Sequence, residues 1–314
     1  MADNNRLDQL LIRYLEYLEV ERQVSQYTIR NYSHYLQRFL AWIQDMNLES
    51  VVSIIDADLI TKYRVFLSRQ TDDAGQPLSR STQAYYVIAL RSWFKWMIKR
   101  DIKVMAPEKI ELPKAESHSL KFLTMEQLER LLSQPKLATV MGLRDRTILE
   151  VLFSTGLRVS ELVKLNRDQV NLEKREFGVM GKGRKLRVVF LSEESTKWLE
   201  RYEFTRKDMW EPLFIRYSRK KDAITSGGEK MRLTARSVQR MVEKYRKMAK
   251  LPVPITPHGL RHTFATDLLS HGAGLREVQE MLGHKNVATT QIYTHVTNPQ
   301  LRAVHEKYHT NKKD

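Results

Sequence analysis

Apolar residues recur at helical spacing from Leu7 to Arg100, and then the recurrence stops. In "LDQLLIRYLEYLEVER", Leu7, Leu10, Leu11, Tyr14, Leu15 and Leu18 mark one helical face. "SQYTIRNYSHYLQRFLAWIQDM" repeats the pattern with Ile29, Tyr32, Leu36, Phe39, Leu40 and Ile43. "ADLITKYRVFLSRQ" and "RSTQAYYVIALRSWFKWMIKR" read as third and fourth helices, separated by the breakers Gly75 and Pro77. Four helices with short links predict a compact bundle over residues 1–104. The following stretch, "VMAPEKIELPKAESHSLKF", holds two prolines and mixed charge without a period. It reads as a linker over 105–121, so the chain is expected to form two domains.

Order restarts at "TMEQLERLL", where Thr124 and Gln127 have the spacing of a capping box. Helices continue through "LRDRTILEVLFSTG" and "RVSELVKL". The one clear β signal is "REFGVMGKGRKLRVVFL", two apolar runs around Gly181-Lys182-Gly183, which predicts a hairpin. "SEESTKWLERYEFTRK", "TARSVQRMVEKYRKMA", "TPHGLRHTFATDLL", "LREVQEML" and "NPQLRAVHEKYH" return to helical patterning. "RYSRKKDAITSGGEKMR" is a basic, glycine-containing loop between two of these helices. The second domain, 122–314, is thus mainly α with a small β-hairpin.

Charge narrows the partner. Lys and Arg total 53 against 37 Asp and Glu, a formal net charge of +16. A long polyanion suits such a surface. An anionic membrane is the rival, but no segment approaches the ~20 apolar residues of a spanning helix. Cysteine is absent, which excludes disulfides, thiolate nucleophiles and cysteine-based zinc sites. No export signal opens the chain, so a cytoplasmic protein is expected.

"TPHGLRHTFATDLL" poses a physical problem. Thr256 suits an N-cap and Pro257 the first helical position. His258, Arg261 and His262 then crowd a helix start that is already partly positive. His258 and Arg261 are three apart and share a face, which makes an anion site with phosphate as the obvious anion. A basic turn in water is the plainer alternative. His258 and His262 also have the spacing of a helical zinc pair, but the glutamate of H-E-x-x-H is missing and Arg261 adjoins the ion position, so no metal is expected. Three further segments carry candidates: Arg158 after Gly156 in "STGLRVSEL", Lys182 between glycines in "GKGRK", and His284 with Tyr293 in "LGHKNVATTQIYTHV". Taken singly, each is an ordinary surface or core residue.

In chain order the set is Arg158, Lys182, His258, Arg261, His284 and Tyr293. Their order, spacing and flanking words resemble the tyrosine recombinase, or phage-integrase, family, nearest its Xer-type members. The resemblance covers essentially the whole chain. It implies an N-terminal four-helix DNA-binding bundle and a C-terminal catalytic domain that together form a clamp around DNA. It implies cleavage and rejoining of DNA with neither metal nor other cofactor. Tyr293 is the implied nucleophile, forming a 3′-phosphotyrosyl bond, and a covalent intermediate stores the phosphodiester energy for religation. An unperturbed phenol has a pKa near ~10, so a proton acceptor is needed, for which His258 is the match. His284 matches the histidine that hydrogen-bonds a non-bridging oxygen. Arg158 and Arg261 match the arginines that clamp those oxygens, and Lys182 the general acid for the leaving 5′-oxygen. Glu161 matches an accessory carboxylate that orients another site member. Phe190 departs from the family, whose members commonly have proline there.

DNA contacts are expected from Arg30, Asn31, Arg80, Gln83, Arg91, Lys95 and Lys99 in the bundle. Arg236, Gln239 and Arg240 are the candidates in the second domain. Most such contacts go to phosphate, while Gln and Asn suit adenine edges. In the C-terminal segment Leu301, Val304 and Tyr308 share one face. The resemblance implies that this face docks on a neighbouring protomer in a cyclic homo-tetramer, or a hetero-tetramer with a second recombinase, on two DNA duplexes. A DNA translocase is a further partner, and the nucleoid the site of action. Chromosome dimer resolution and mobile-element integration both fit. A type IB topoisomerase and a non-catalytic DNA-binding protein are the competing classes.

Overall fold

The computed structural model describes residues 6–72, 75–112, 121–181, 186–217 and 227–283. The chain divides into two compact units, Met1–His118 and Ser119–Asp314.

The first unit contains α1 (Leu7–Val20), α2 (Gln26–Asp45), α3 (Ala57–Ser68) and α4 (Arg80–Ile98). Each of the last three starts at a polar residue that accepts a backbone N–H: Ser25 from Thr28, Asp56 from Leu59 and Ser79 from Thr82. The apolar stripes read from the sequence meet in one core, with Leu7, Leu10, Tyr14, Leu36, Phe39, Ile43, Tyr63, Trp93 and Phe94 buried. At about 1.5–3 kcal/mol for each large side chain taken from water, this stripe-to-stripe contact holds the bundle together. Two of the aromatics also satisfy their polar atoms. Tyr14 donates its hydroxyl proton to Ser92 Oγ at 2.8 Å, and the Trp93 indole donates to the Leu10 carbonyl at 3.4 Å.

The expected linker begins later than its composition suggests. Pro107 and Ile110 are buried, Pro107–Lys109 form a turn of 3-10 helix, and Ile110 belongs to the bundle core. Pro107 is buried, Ile110 joins the core and Met105 packs against it, so residues 105–110 extend the bundle, while Glu111 and Leu112 are exposed. The rest of the expected linker, 113–120, lies outside the described residues.

In the second unit, α5 (Met125–Leu132) starts at the expected capping box, with Thr124 and Gln127 bonded reciprocally. Then come α6 (Val140–Thr155), the single turn α7 (Val159–Leu162), and the antiparallel strands β1 (Glu176–Met180) and β2 (Leu186–Phe190). The unit continues with α8 (Glu193–Thr205), α9 (Ala235–Met248), α10 (Pro257–Ser270) and α11 (Leu275–Leu282). Register runs from Glu176 opposite Phe190 to Met180 opposite Leu186, so β2 stays paired through Phe190 despite the departure from proline. The hairpin tip at 182–185 is not described.

The central element is α6, buried almost all round. Its core neighbours include Leu199 and Tyr202 of α8, Leu260 of α10 and Val189 of β2. It ends at Gly156, whose φ of +59° is left-handed, and a Cβ there would lie 2.5 Å from the Phe264 ring. Only glycine meets both conditions. This stop aims Arg158 into α7 and brings the start of α10 against the end of α6. The basic loop over 216–232 is partly structural at its end. Arg232 donates to the carbonyls of Val163 and Leu165 and to the side chain of Asn166. Residues 218–226 are not described. Among the described residues no helix is long and apolar enough to cross a membrane.

Candidate active site at the junction of α6, α7, α10 and α11

Thr256 caps α10 as expected, its side chain accepting from the Gly259 N–H, with Pro257 in the first turn. The three basic residues then part ways. His258 stays exposed, while Arg261 and His262 are buried, Arg261 to 1% exposure. A basic turn in water is therefore not what this sequence makes.

Arg261 uses its fork on backbone. Nη1 donates to the Gly156 carbonyl at 2.6 Å and Nη2 to the Leu282 carbonyl at 2.6 Å. These are carbonyls at the ends of α6 and α11, which a helix leaves without intrahelical donors. A cation there also opposes the negative end of each helix dipole. The His262 ring stands edge-on to His258, with centroids 4.3 Å apart and planes at 75°. His262, given no chemical role by the sequence, thus backs the His258 imidazole. Among the described residues no group of three or more His, Asp or Glu could hold a metal ion.

Arg158 is half-buried at the start of α7 and donates through Nη1 to Glu161 Oε1 at 3.0 Å. Its backbone N–H donates to Glu161 Oε2 at 2.9 Å, which closes the short helix. Arg158 and Arg261 both act on His258. Desolvation and the positive charges of Arg261 and Arg158 hold the imidazole below its ordinary 6.5. His258 is therefore neutral near pH 7 and able to accept a proton. Among the described members, the site is one electrostatic neighbourhood: two permanent cations around one neutral base.

Arg187 on β2 was not among the candidates. Its Nη1 and Nη2 reach Glu161 Oε1 and Oε2 at 3.0 and 2.9 Å, and its Nε donates to the Met281 carbonyl at 3.2 Å. The sequence did contain a signal. Positions 187 and 189 point to the same side of β2, and Val189 is buried, so an arginine at 187 demands a partner inside. Lys182, His284 and Tyr293 lie outside the described residues.

The outer candidates are spread over both units. Arg30 is exposed and lies over the Tyr27 ring at 5.7 Å, next to exposed Asn31. Arg80, Lys95 and Lys99 are exposed and Arg91 half-buried along α4. Gln83 donates its amide to the Leu78 carbonyl at 2.8 Å, so it must release that bond before reading a base. On α9, Arg236, Gln239 and Arg240 share the face opposite buried Val238, Val242 and Tyr245.

Residues 121–299 match the phage integrase family, and residues 11–101 match the phage integrase N-terminal SAM-like domain. The chain belongs to the phage integrase family. This family member is 38% identical to the tyrosine recombinase XerD of Pseudomonas putida over 303 residues, 96% of this chain and 97% of that protein. It is 34% identical to the tyrosine recombinase XerD of Listeria innocua, over 96% of this chain and 99% of that one. Its fold is shared with the Tn1549 transposon integrase solved with transposon right end DNA. That match has a TM-score of 0.75 at 20% identity, covering 97% of this chain and all of that one. The phage integrase-family chain is accordingly a tyrosine-type site-specific recombinase, and the mainly helical fold with a small hairpin is the family's.

Proposed function

We propose that this recombinase cuts one DNA strand by attack of Tyr293 on the scissile phosphate. The phenolic oxygen forms the P–O bond, the bond to the 5′-oxygen breaks, and a 3′-phosphotyrosyl link remains beside a free 5′-hydroxyl. The phenol proton goes to His258, and Lys182 supplies a proton to the leaving 5′-oxygen. Attack by a 5′-hydroxyl reverses each step and reseals the strand, so the bond energy stays in the covalent link. Arg158 and Arg261 supply permanent charge for the non-bridging oxygens, with His284 as an additional donor. The observation that carries this reading is His258 at the start of α10, its imidazole backed by the His262 ring and held below its ordinary range by desolvation and by the charges of Arg261 on the same helix and Arg158 at the start of α7. A neutral base between two cations suits a reaction that takes a proton from the nucleophile while charge builds on phosphate.

The bundle candidates Arg30, Asn31, Arg80, Arg91, Lys95 and Lys99, and Arg236, Gln239 and Arg240 of α9, contact the duplex, mainly at phosphates. The segment from Asn298 onward docks on a neighbouring protomer, closing a tetramer on two duplexes. The near full-length identity to XerD proteins, together with the Xer-like motifs, favours chromosome dimer resolution, carried out in the cytoplasm on nucleoid DNA.

A nicked suicide duplex carrying the target site tests the chemistry. A covalent protein–DNA adduct is expected without divalent metal or ATP, and it is expected to vanish in Tyr293→Phe. An adduct that persists in Tyr293→Phe assigns the nucleophile elsewhere. Relaxation of supercoils at arbitrary sequence, with no recombinant product, points instead to a type IB topoisomerase.

A further inference from the structure

Glu161 ties the start of α7 to β2. An ionised carboxylate offers about four acceptor positions. In Glu161 all four are used. Oε1 accepts from Arg158 Nη1 and Arg187 Nη1, both at 3.0 Å. Oε2 accepts from the Arg158 backbone and from Arg187 Nη2, both at 2.9 Å. Glu161 and Arg187 are nearly enclosed, their side chains 7% and 11% exposed, whereas Arg158 is 33% exposed. The buried partner of the carboxylate is therefore Arg187, and Arg158 is the one that faces outward.

The same guanidinium reaches a second place. Arg187 Nε holds the Met281 carbonyl, one residue before the Leu282 carbonyl held by Arg261. Its aliphatic stem runs against Gly283, where a Cβ would lie 2.9 Å from Cδ and where φ is +65°. Two arginines thus grip the last turn of α11 immediately before the chain proceeds to His284.

We propose that Arg187 is a positioning residue for strand cleavage: by occupying Glu161 from the buried side it holds Arg158 turned to the phosphate, and by holding Met281 it fixes the end of α11 against β2. The physical reason is competition for one carboxylate. With Arg187 in place, Glu161 has no remaining acceptor with which to draw in a second Arg158 nitrogen. Without it, the planar fork of Arg158 closes bidentately on Glu161, the geometry such pairs favour, and turns away from phosphate. This inference rests on the cleavage chemistry proposed above and adds a residue that does not itself touch DNA.

The test is single-turnover cleavage of the nicked suicide duplex at saturating protein. The wild type, Tyr293→Phe, Arg187→Lys, Arg187→Met, Glu161→Gln and Arg187→Met/Glu161→Gln are compared. An adduct with the wild type and none with Tyr293→Phe establishes the chemistry independently of Arg187. Arg187→Met is expected to bind the duplex within about threefold of wild type, because the contact that sets affinity is elsewhere. It is expected to cleave about 10²-fold more slowly, the loss that a misplacement of roughly 1 Å produces. Arg187→Lys keeps the charge with one donor in place of a fork and recovers part of that rate. In the double variant the combined loss falls short of the product of the two, since both substitutions remove the shared Arg187–Glu161 interaction. Cleavage by Arg187→Lys and Arg187→Met within about threefold of wild type overturns the inference, as do losses that multiply independently. If Arg187→Met fails to fold, Arg187→Lys and its pairing with Glu161→Gln decide the question alone.

Discussion

Arg261 donates one proton to the Gly156 carbonyl at 2.6 Å, across a separation of 105 residues. This bond, with its companion to Leu282, makes the cation at the start of α10 also the clasp between the ends of α6 and α11. Arg261→Ala leaves two buried carbonyls without those donors and is expected to cost about 2–4 kcal/mol. Arg261→Lys keeps the charge but loses the fork. It should cost less, about 1–2 kcal/mol, while still lowering cleavage by about 10²-fold. Urea unfolding beside single-turnover cleavage separates the two losses; equal effects of Lys and Ala on both readouts would contradict the clasp.

Gly156 is the hinge point of the same clasp. Gly156→Ala combines a left-handed backbone with a Cβ 2.5 Å from Phe264. A loss above about 2 kcal/mol is expected, with cleavage falling alongside because the α10 start must shift. Denaturant melts at matched conditions report it, and an alanine variant as stable as the wild type would show that the φ at 156 is dispensable.

His258 gives a pH dependence with a definite sign. Its folded pKa lies below 6.5 because of desolvation and then the charges of Arg261 and Arg158. Unfolded, the imidazole takes up its proton at the higher value. Between the two, the unfolded chain binds more protons, so this group's contribution to stability falls as pH drops. The neutral form is the base, so cleavage should rise with pH on a limb centred below 6.5. Arg158→Ala removes one of the two neighbouring cations and should move the His258 titration upward. Following the His258 ring resonances by NMR checks this; an unmoved or lowered titration contradicts the shared neighbourhood.

Much of this was legible in the sequence, for reasons that differ between elements. The bundle helices were legible because Leu7, Leu10 and Tyr14, or Phe39 and Ile43, face the core at helical spacing. The cap at Thr124 was legible because its chemistry is local. Ile110 was missed since the apolar residues between Val104 and Leu112 are broken up by proline and charge, with no period to reveal which of them is buried. Arg187 was missed for another reason. Its partners, Glu161 and Met281, are 26 and 94 residues away, and no local pattern encodes such a meeting. The burial of Arg261 was hidden likewise, because helix-end carbonyls at 156 and 282 meet only after α6, α10 and α11 pack. Motifs report residue identity at spacing; they do not report which donors the backbone claims.

Glu161 should register in acid stability. Burial raises its pKa, but hydrogen bonds from Arg187 and the Arg158 backbone, with the charges of both arginines, bring it from 4.5 down to about 2. A depressed carboxylate contributes stability that is complete above its unfolded value and is lost as pH falls toward the folded one. The full difference is on the order of 3 kcal/mol. Most of the loss between about pH 6 and pH 3, roughly 2 kcal/mol, comes before the folded group itself takes up a proton. Glu161→Gln cannot titrate, so its deficit against the wild type should be large near pH 6 and shrink by that amount near pH 3. Arg187→Met removes the largest stabilising hydrogen bond on the carboxylate and should flatten the wild-type acid slope in the same window. Urea unfolding at the two pH values measures both effects. A deficit for Glu161→Gln that stays constant between them would show that the carboxylate is not held ionised by the two arginines.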